Sequence, residues 1–402
     1  MNPAGQKFPC GERCPANDGD IEMNANHVVI EDLDLTFSYN PVSFLDTYQE
    51  RIGNQVICGY LTDSVAPMNP LEDWDGVGRI YTAHRHSSSH ADMQEALGLD
   101  SNWEPDFDLV HGHPERFRKA WVLAAAKDPE FQDWCYKNGR PPKYADQDRL
   151  DAYYKRKAKR FWKDTDGELG PDCYWMTTIW SFEITDSVLE KLWHELNSEG
   201  LIGDPDRVSL DVYEHSGVAY SVSGTGAGCA WDTTRGGAVW VPDDCARDEI
   251  DRRAPVYAYG EIVTKRSPAG KVWAFKLHQS PDITSIWFSS WGSAFNALET
   301  ATQVKREKDQ ATPEWDEMVR KGRRLAATEL AAEGAQLYTD FCNGAVYEVV
   351  IETFELCSCC SAAKSIASER HEECFGSEDA EESLKESFLQ EVIAATKRVE
   401  SR

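Results

Sequence analysis

Hydrophobic and polar positions follow two rhythms along the chain. Over 27–40, HVVIEDLDLTFSYN, the residues Val29, Leu33, Leu35 and Phe37 share one parity among acidic and small neighbours, a period of two that predicts a strand. NQVICGYL (54–61) and GRIYTAHRH (78–86) predict two more. From 114 to about 162 the spacing changes to three and four, in PERFRKAWVLAAAKDPEFQDWCYKNG and DQDRLDAYYKRKAKRFWKD, and predicts helices. Strands return in YWMTTIWSFEIT (174–185), VSLDVYEHSG, VAYSVSG and GGAVWV (208–241), all rich in β-branched and aromatic residues. Between them, TDSVLEKLWHELNSEG predicts a helix capped by Thr185 or Asp186 and ended by Gly200. PEWDEMVRKGRRLAATELAAEG predicts another, with Pro313 in its first turn and Gly334 at its stop. The final helix, 377–400, runs from acidic to basic, as the helix dipole favours.

Two pairs of segments look alike. Residues 60–86 and 212–241 each carry a Trp-Asp step, Trp74-Asp75 and Trp231-Asp232, before a Gly-rich turn and an aromatic strand. Residues 256–301 resemble 336–369. Both read as an aromatic strand, a Gly turn, an alternating strand, a polar segment and a short Ala-rich helix. Duplication of a small β-β-α unit explains the second pair, as does chance among Gly- and Trp-rich strands. The expected class is α+β: mixed, mostly antiparallel sheets from repeated small units, with an inserted helical region and a C-terminal helix. In linear order this gives a leader (1–26), an N-terminal β-rich unit (27–113), a helical insertion (114–165), a central α+β domain (166–301) and a C-terminal α+β unit (302–402).

A chain of 402 residues is too long for one ordinary core, and 41% hydrophobic content lets it bury one. Lys and Arg number 42 against 69 Asp and Glu, a formal charge of −27, which repels phosphates and argues against direct nucleic-acid binding. The charge suits either plain solubility or a surface that imitates nucleic acid to occupy a basic protein partner. Lys155 to Lys163 reads as the only basic patch. No stretch reaches the roughly 18 apolar residues of a membrane span, and the first 20 residues lack the cationic end and apolar run of a signal peptide. A cytoplasmic setting follows, in which the 12 cysteines are thiols or metal ligands.

The chemistry-bearing residues form four groups. His215 and Asp232, with Ser216, offer a base, an orienting carboxylate and a nucleophile. His215 and Ser216 are adjacent on a strand and face opposite ways, so His215 with Asp232 or Asp75 is the easier pair. The plainer use is a sheet-face histidine and an aspartate that organises a turn. Trp74, Asp75 and Trp231 read as loop anchors, the indole fixing the loop and the carboxylate ordering it. Glycines 224, 226 and 228 could admit a phosphate to backbone amides, but no helix or P-loop lysine follows. His84 and His86 share a strand face and, with His111 and His113 and Asp106 or Asp108, would suit zinc or another divalent cation. Cys357, Cys359, Cys360, His371 and Cys374 would supply four zinc ligands, at a spacing unlike a knuckle or ribbon, and otherwise pack as small hydrophobes. Cys10 and Cys14 stand apart in the leader.

Three blocks carry a family resemblance. NPLEDWDGVGRIYTAHRH, then VYEHSGVAYSVS with CAWD and GGAVWV, then NGAVYEVVIE with ELCSCC, resemble in order the blocks of a set of uncharacterised bacteriophage and prophage proteins. Here Ala230 stands where that pattern has Pro, Thr233 where it has Ser, and Ser358-Cys359-Cys360-Ser361 where it has Ser-Cys-Trp-Gly. The resemblance covers about half the chain in scattered blocks, implies a phage-encoded protein in a bacterial cytoplasm, and carries no chemistry. The function expected is an accessory protein that binds a macromolecular partner and inhibits a host defence or DNA-processing enzyme. A metal-assisted hydrolase or transferase using His215 and Asp232 with His84 and His86 is the alternative, and a self-associating assembly protein the third.

Overall fold

The computed structural model describes residues 27–30, 33–43, 47–83, 87–139, 142, 146–164, 184–215, 217–226, 232–267, 270–279, 286–357 and 362–400. It is α+β, with antiparallel sheets and a C-terminal helix. The chain forms two compact units, one drawn from Met1–Pro67 with Gly344–Arg402 and the other continuous from Met68–Asn343.

In the first unit, β3 (Tyr48–Ile52), β4 (Gln55–Asp63), β11 (Val346–Leu356) and β12 (Ala363–Phe375) pair in the order β12-β11-β4-β3. Strand β4 is apolar on both faces because both are covered. Val56, Cys58 and Tyr60 pack with Leu35, Phe37, Val350 and Phe354. Ile57, one residue out of phase, packs with Val349, Ile351, Leu384 and Phe388, the last two on α11 (Ser377–Glu400). Full burial of each such side chain contributes roughly 1.5–3 kcal/mol. HVVIEDLDLTFSYN, expected as one strand, forms the hairpin β1 (His27–Ile30) and β2 (Leu33–Thr36).

One carboxylate inside this unit has no cation partner among the described residues. Glu352, 0% exposed, accepts from Ser38 N (3.0 Å), Ser38 Oγ (2.7 Å), Tyr60 Oη (2.9 Å) and Ser365 Oγ (2.6 Å). Four donors replace its hydration shell. Burial and the Glu352 charge push the Tyr60 hydroxyl far above its ordinary range, so it stays a donor.

In the second unit, β5 (Arg79–Thr82), β8 (Thr233–Val241), β6 (Val208–Glu214) and β7 (Val218–Val222) pair in the order β5-β8-β6-β7. One face buries Leu210, Val212 and Trp240 against α8 (Asp244–Tyr257), α9 (Trp291–Asp309) and α10 (Trp315–Cys342). The hairpin β9 (Gly260–Ser267) and β10 (Gly270–Leu277) packs beside them. The expected helical insertion is present as α4 (Pro114–Ala125), α5 (Pro129–Asn138) and α6 (Gln147–Asp164). It shares a core with α7 (Ile184–Ser198) through Phe117, Trp121, Phe131, Leu189 and Leu192.

Several expectations need correction. The compact units do not follow the linear division at 27–113 and 302–402: β4 pairs with β11, whereas β5 pairs with β8. The segment 336–342, expected as a strand, is the end of α10, and the expected Ala-rich helix near 362–369 lies within β12. Edge pairing to β11 overrides the local alanine preference. VYAYG likewise ends helix α8 at Tyr257, and β9 starts at Gly260. The two hairpin-and-helix stretches therefore do not align as 256–301 with 336–369. The helix expected to end at Gly334 runs on to Cys342, and Pro313 precedes it. Thr185 and Asp186 lie inside the first turn of α7, while Gly200 (φ +73°) does follow its end. The leader and 174–183 fall outside the described residues.

α10 uses glycine for contact and not for termination: a Cβ at Gly334 would come 2.8 Å from Val77 O, and Gly322 makes a second close approach. A Cβ at Gly322 would fall well inside van der Waals distance of the Ala254 carbonyl oxygen and 2.6 Å from Ala258 N. Gly322→Ala should therefore lower stability by about 1–3 kcal/mol. Gly292→Ala, in open space within α9, should be neutral or stabilising by up to about 1 kcal/mol. Thermal unfolding checks both, and equal gains would refute the close approach. Glu352→Gln, which leaves donors facing an amide, should cost about 1–3 kcal/mol in the same assay.

Candidate functional site

The two Trp-Asp segments are joined through their strands. β5 and β8 pair antiparallel with Ile80 opposite Trp240 and Tyr81 opposite Val239, so Asp75, before β5, and Asp232, before β8, stand at opposite ends of the pair. The junction is held by Asp243, two residues beyond β8. Its carboxylate caps α8 through Ala246 N (2.8 Å) and accepts from Gly76 N (3.0 Å) and Gly78 N (2.9 Å) in the turn after Trp74-Asp75. Trp240 Nε1 donates to Val77 O at 2.7 Å. Asp243, absent from the sequence-based candidates, thus does the ordering expected of Asp75, which is exposed. The signal was an aspartate three residues before Ala246 at the head of a helical pattern.

The expected catalytic pair is close but open to water. His215 Nδ1 lies 3.7 Å from Asp232 Oδ2, with side chains 69% and 36% exposed. Ser216 and Trp231 lie outside the described residues. The start of the glycine loop is committed. Asp211, 8% exposed, accepts from Ser223 Oγ (2.7 Å), Gly224 N (3.1 Å) and Gly236 N (2.9 Å), and Thr225 N donates to Val222 O (3.0 Å). Burial works to raise the Asp211 carboxyl, but the hydrogen bonds from Ser223, Gly236 and Gly224 hold it below the usual carboxylate range.

Among the described residues no group of three or more His, Cys, Asp or Glu is placed to hold a metal ion. His111 meets the Phe117 ring edge-on, and His113 Nε2 lies 3.3 Å from Leu201 O. Cys357 follows β11, while His371 and Cys374 lie on β12 with Cys374 opposite Tyr347. His84, His86, Cys359 and Cys360 lie outside the described residues.

A recess in the second unit lies elsewhere. A cavity of about 670 Å³ opens between α2 (His90–Leu97), the loop after it and the turn at Gly203, Asp204 and Pro205. Asp92, Glu95, Asp100, Asp106 and Asp204 line it together with Tyr81, and among the described residues no Lys or Arg does. Its shape depends on two glycines with left-handed φ, Gly98 (+73°) and Gly203 (+71°). A Cβ at Gly203 would come 2.5 Å from Ala96 O, and one at Gly98 would strike Ile202. Asp204 N therefore reaches Ala96 O at 2.9 Å, drawing the turn onto the end of α2.

Three of the five carboxylates also have local work. Asp100 accepts from Asn102 N and Glu104 N, Asp106 from Asp108 N, and Asp204 pairs with Arg247 at 2.5 Å. Asp92 and Glu95 are exposed. Burial, then Asp92, raises the Tyr81 hydroxyl above its ordinary range.

The molecule is thus an α+β chain of two units whose larger unit carries a carboxylate-lined cleft. No protein-family model matches the chain, and comparison with curated proteins and with solved structures likewise finds no match.

The charge reading also needs correction. Lys155 to Lys163 is not the only basic patch: Arg320, Lys321, Arg323 and Arg324 form a second within one turn and a half of α10.

His215→Ala and Asp232→Ala should each change stability by less than about 1 kcal/mol, as an exposed pair does. Asp243→Ala should cost about 1–2 kcal/mol or more, through the lost cap and the turn amides. Asp211→Asn should also destabilise at pH 7, by about 1–3 kcal/mol. Because the folded Asp211 carboxyl is depressed, its contribution is present above the unfolded value of about 4 and lost as pH falls below it. Denaturant titrations at pH 7 and pH 3 should show the wild-type advantage shrinking at the lower pH.

Proposed function

We propose that the protein binds a macromolecular partner with a basic surface, and that the carboxylate-lined cleft beside α2 receives the partner's Lys or Arg side chains. The observation that supports this reading is the lining itself, five carboxylates and, among the described residues, no cation around 670 Å³. A concave wall of one sign focuses the field and steers an oppositely charged partner. The −27 charge of the chain adds long-range attraction. The phage-like sequence blocks supply a setting: an accessory protein in a bacterial cytoplasm that inhibits a host defence or DNA-processing enzyme by occupying its basic surface. Two of those blocks contribute β5, β6, β7 and β8, the sheet beside the cleft. No helix among the described residues is long and apolar enough to cross a membrane.

The test is fluorescence anisotropy with a labelled Lys/Arg-rich peptide at low and high salt. The Asp92→Asn/Glu95→Gln variant should bind at least about tenfold more weakly, equivalent to about 1.4 kcal/mol. Glu381→Gln/Glu382→Gln, the same charge change on exposed residues of α11, should change affinity by less than about twofold. Equal loss in the two variants would reduce the effect to net charge, and absent or salt-independent binding would overturn the reading.

A further inference from the structure

A second recess in the larger unit has the opposite character. It encloses about 590 Å³ between the 197–207 turn and α10. Arg207, Arg320, Lys321, Arg323 and Arg324 line it, in a chain whose net charge is strongly negative. Three carboxylates also line it, and each is already committed. Asp206, 2% exposed, takes Arg323 Nε at 2.5 Å and Nη2 at 2.6 Å, and Glu199 pairs with Arg116 at 2.5 Å. Glu317 is shared by Arg320 (2.8 Å) and Lys321 (3.6 Å).

Two guanidiniums remain without an acidic partner. Arg207 donates to the carbonyls of Ile202 (3.3 Å), Asp204 (2.6 Å) and Asn197 (3.3 Å) and to Asn197 Oδ1 (2.5 Å), all neutral acceptors. Arg324 donates through one nitrogen to Arg207 O at 2.5 Å. Among the described residues neither forms an ion pair with a carboxylate. Burial, with Arg324 alongside, lowers the Arg207 pKa, as expected of a cation short of counter-charge. Arg207 has only its Nε–H left to give, whereas Arg324 has a single nitrogen engaged and keeps donors that can meet an oxyanion bidentately.

We propose that this recess is a binding site for a compact phosphate-class oxyanion, held by Arg324 and Arg320, with the Arg207 charge beside Arg324 adding attraction. The volume lies within the range of small-ligand sites. Among the described residues Pro205 and Ala327 are the only apolar side chains on its wall and no aromatic ring offers a stacking platform, so the lining favours a phosphate or diphosphate over a base-bearing ligand. The site is separate from the carboxylate-lined cleft and stands or falls independently of it.

Isothermal titration of the full chain with pyrophosphate, inorganic phosphate and citrate, at ionic strength held constant with sodium chloride, tests the assignment. Pyrophosphate should bind saturably, and at least about tenfold more tightly than citrate. Arg324→Gln and Arg320→Gln should each weaken pyrophosphate at least about tenfold, since a hydrogen bond to a charged group contributes about 1.5–3 kcal/mol. Both side chains are exposed, and circular dichroism confirms that each variant is folded before titration. Absence of saturable pyrophosphate heat, citrate binding as tight as pyrophosphate, or folded variants that bind like the parent would each overturn the proposal.

Discussion

The second unit depends on the clamp at Asp243. One carboxylate caps α8 and takes the amides of the turn before β5, while the indole of Trp240 reaches the carbonyl between those amides. Backbone groups in a turn must find partners once water is excluded. Here they find them on the strand and helix that the turn docks against, so one set of bonds fixes the edge strand, the start of α8 and the joining of the two Trp-Asp segments through their strands. Tyr81 and Val241, which belong to the joined strands, then line the carboxylate cleft. The cleft is a consequence of the clamp.

Charge is buried in two ways. In the first, Glu352 is surrounded by hydroxyls and one amide and needs no cation. In the second, charges are paired in chains: Asp206 between Arg323 and Arg247, and Glu329 with Arg253, which stacks 4.1 Å over Trp291. Neutral donors satisfy a buried carboxylate without desolvating a second ion, whereas a chain of ion pairs ties several elements together at a higher desolvation cost. The second arrangement joins the 204–207 turn, α8 and α10. It also leaves cations in excess on one side of that turn and carboxylates in excess on the other, which is the physical basis of the two recesses.

The sequence determined the period of each element, because burial on one face imposes it locally. β4, β6, β7, β8, the helices of 114–164 and the acidic-to-basic last helix are legible residue by residue. The sheet partners were not. Nothing in 54–61 states that it pairs with 346–356 in place of 78–86, since pairing is decided by which apolar faces can be covered together after chain closure over nearly 300 residues. The Gly334 reading failed for a related reason: a glycine that ends one helix lets another approach a neighbour, and the two uses look alike in one dimension. For the candidate site, the Trp-Asp segments pointed to the right part of the molecule, but the side chains that order it, Asp243 and Asp211, act on amides that only the fold brings within reach. The carboxylate cleft joins Asp92 and Glu95 to Asp204, and the basic recess joins Arg207 to Arg324. Both distances along the chain exceed 100 residues, and electrostatic fields depend on distance in space. The sequence therefore determined how much charge the protein carries and which segments fold as strands or helices, and only the tertiary structure decided where that charge gathers.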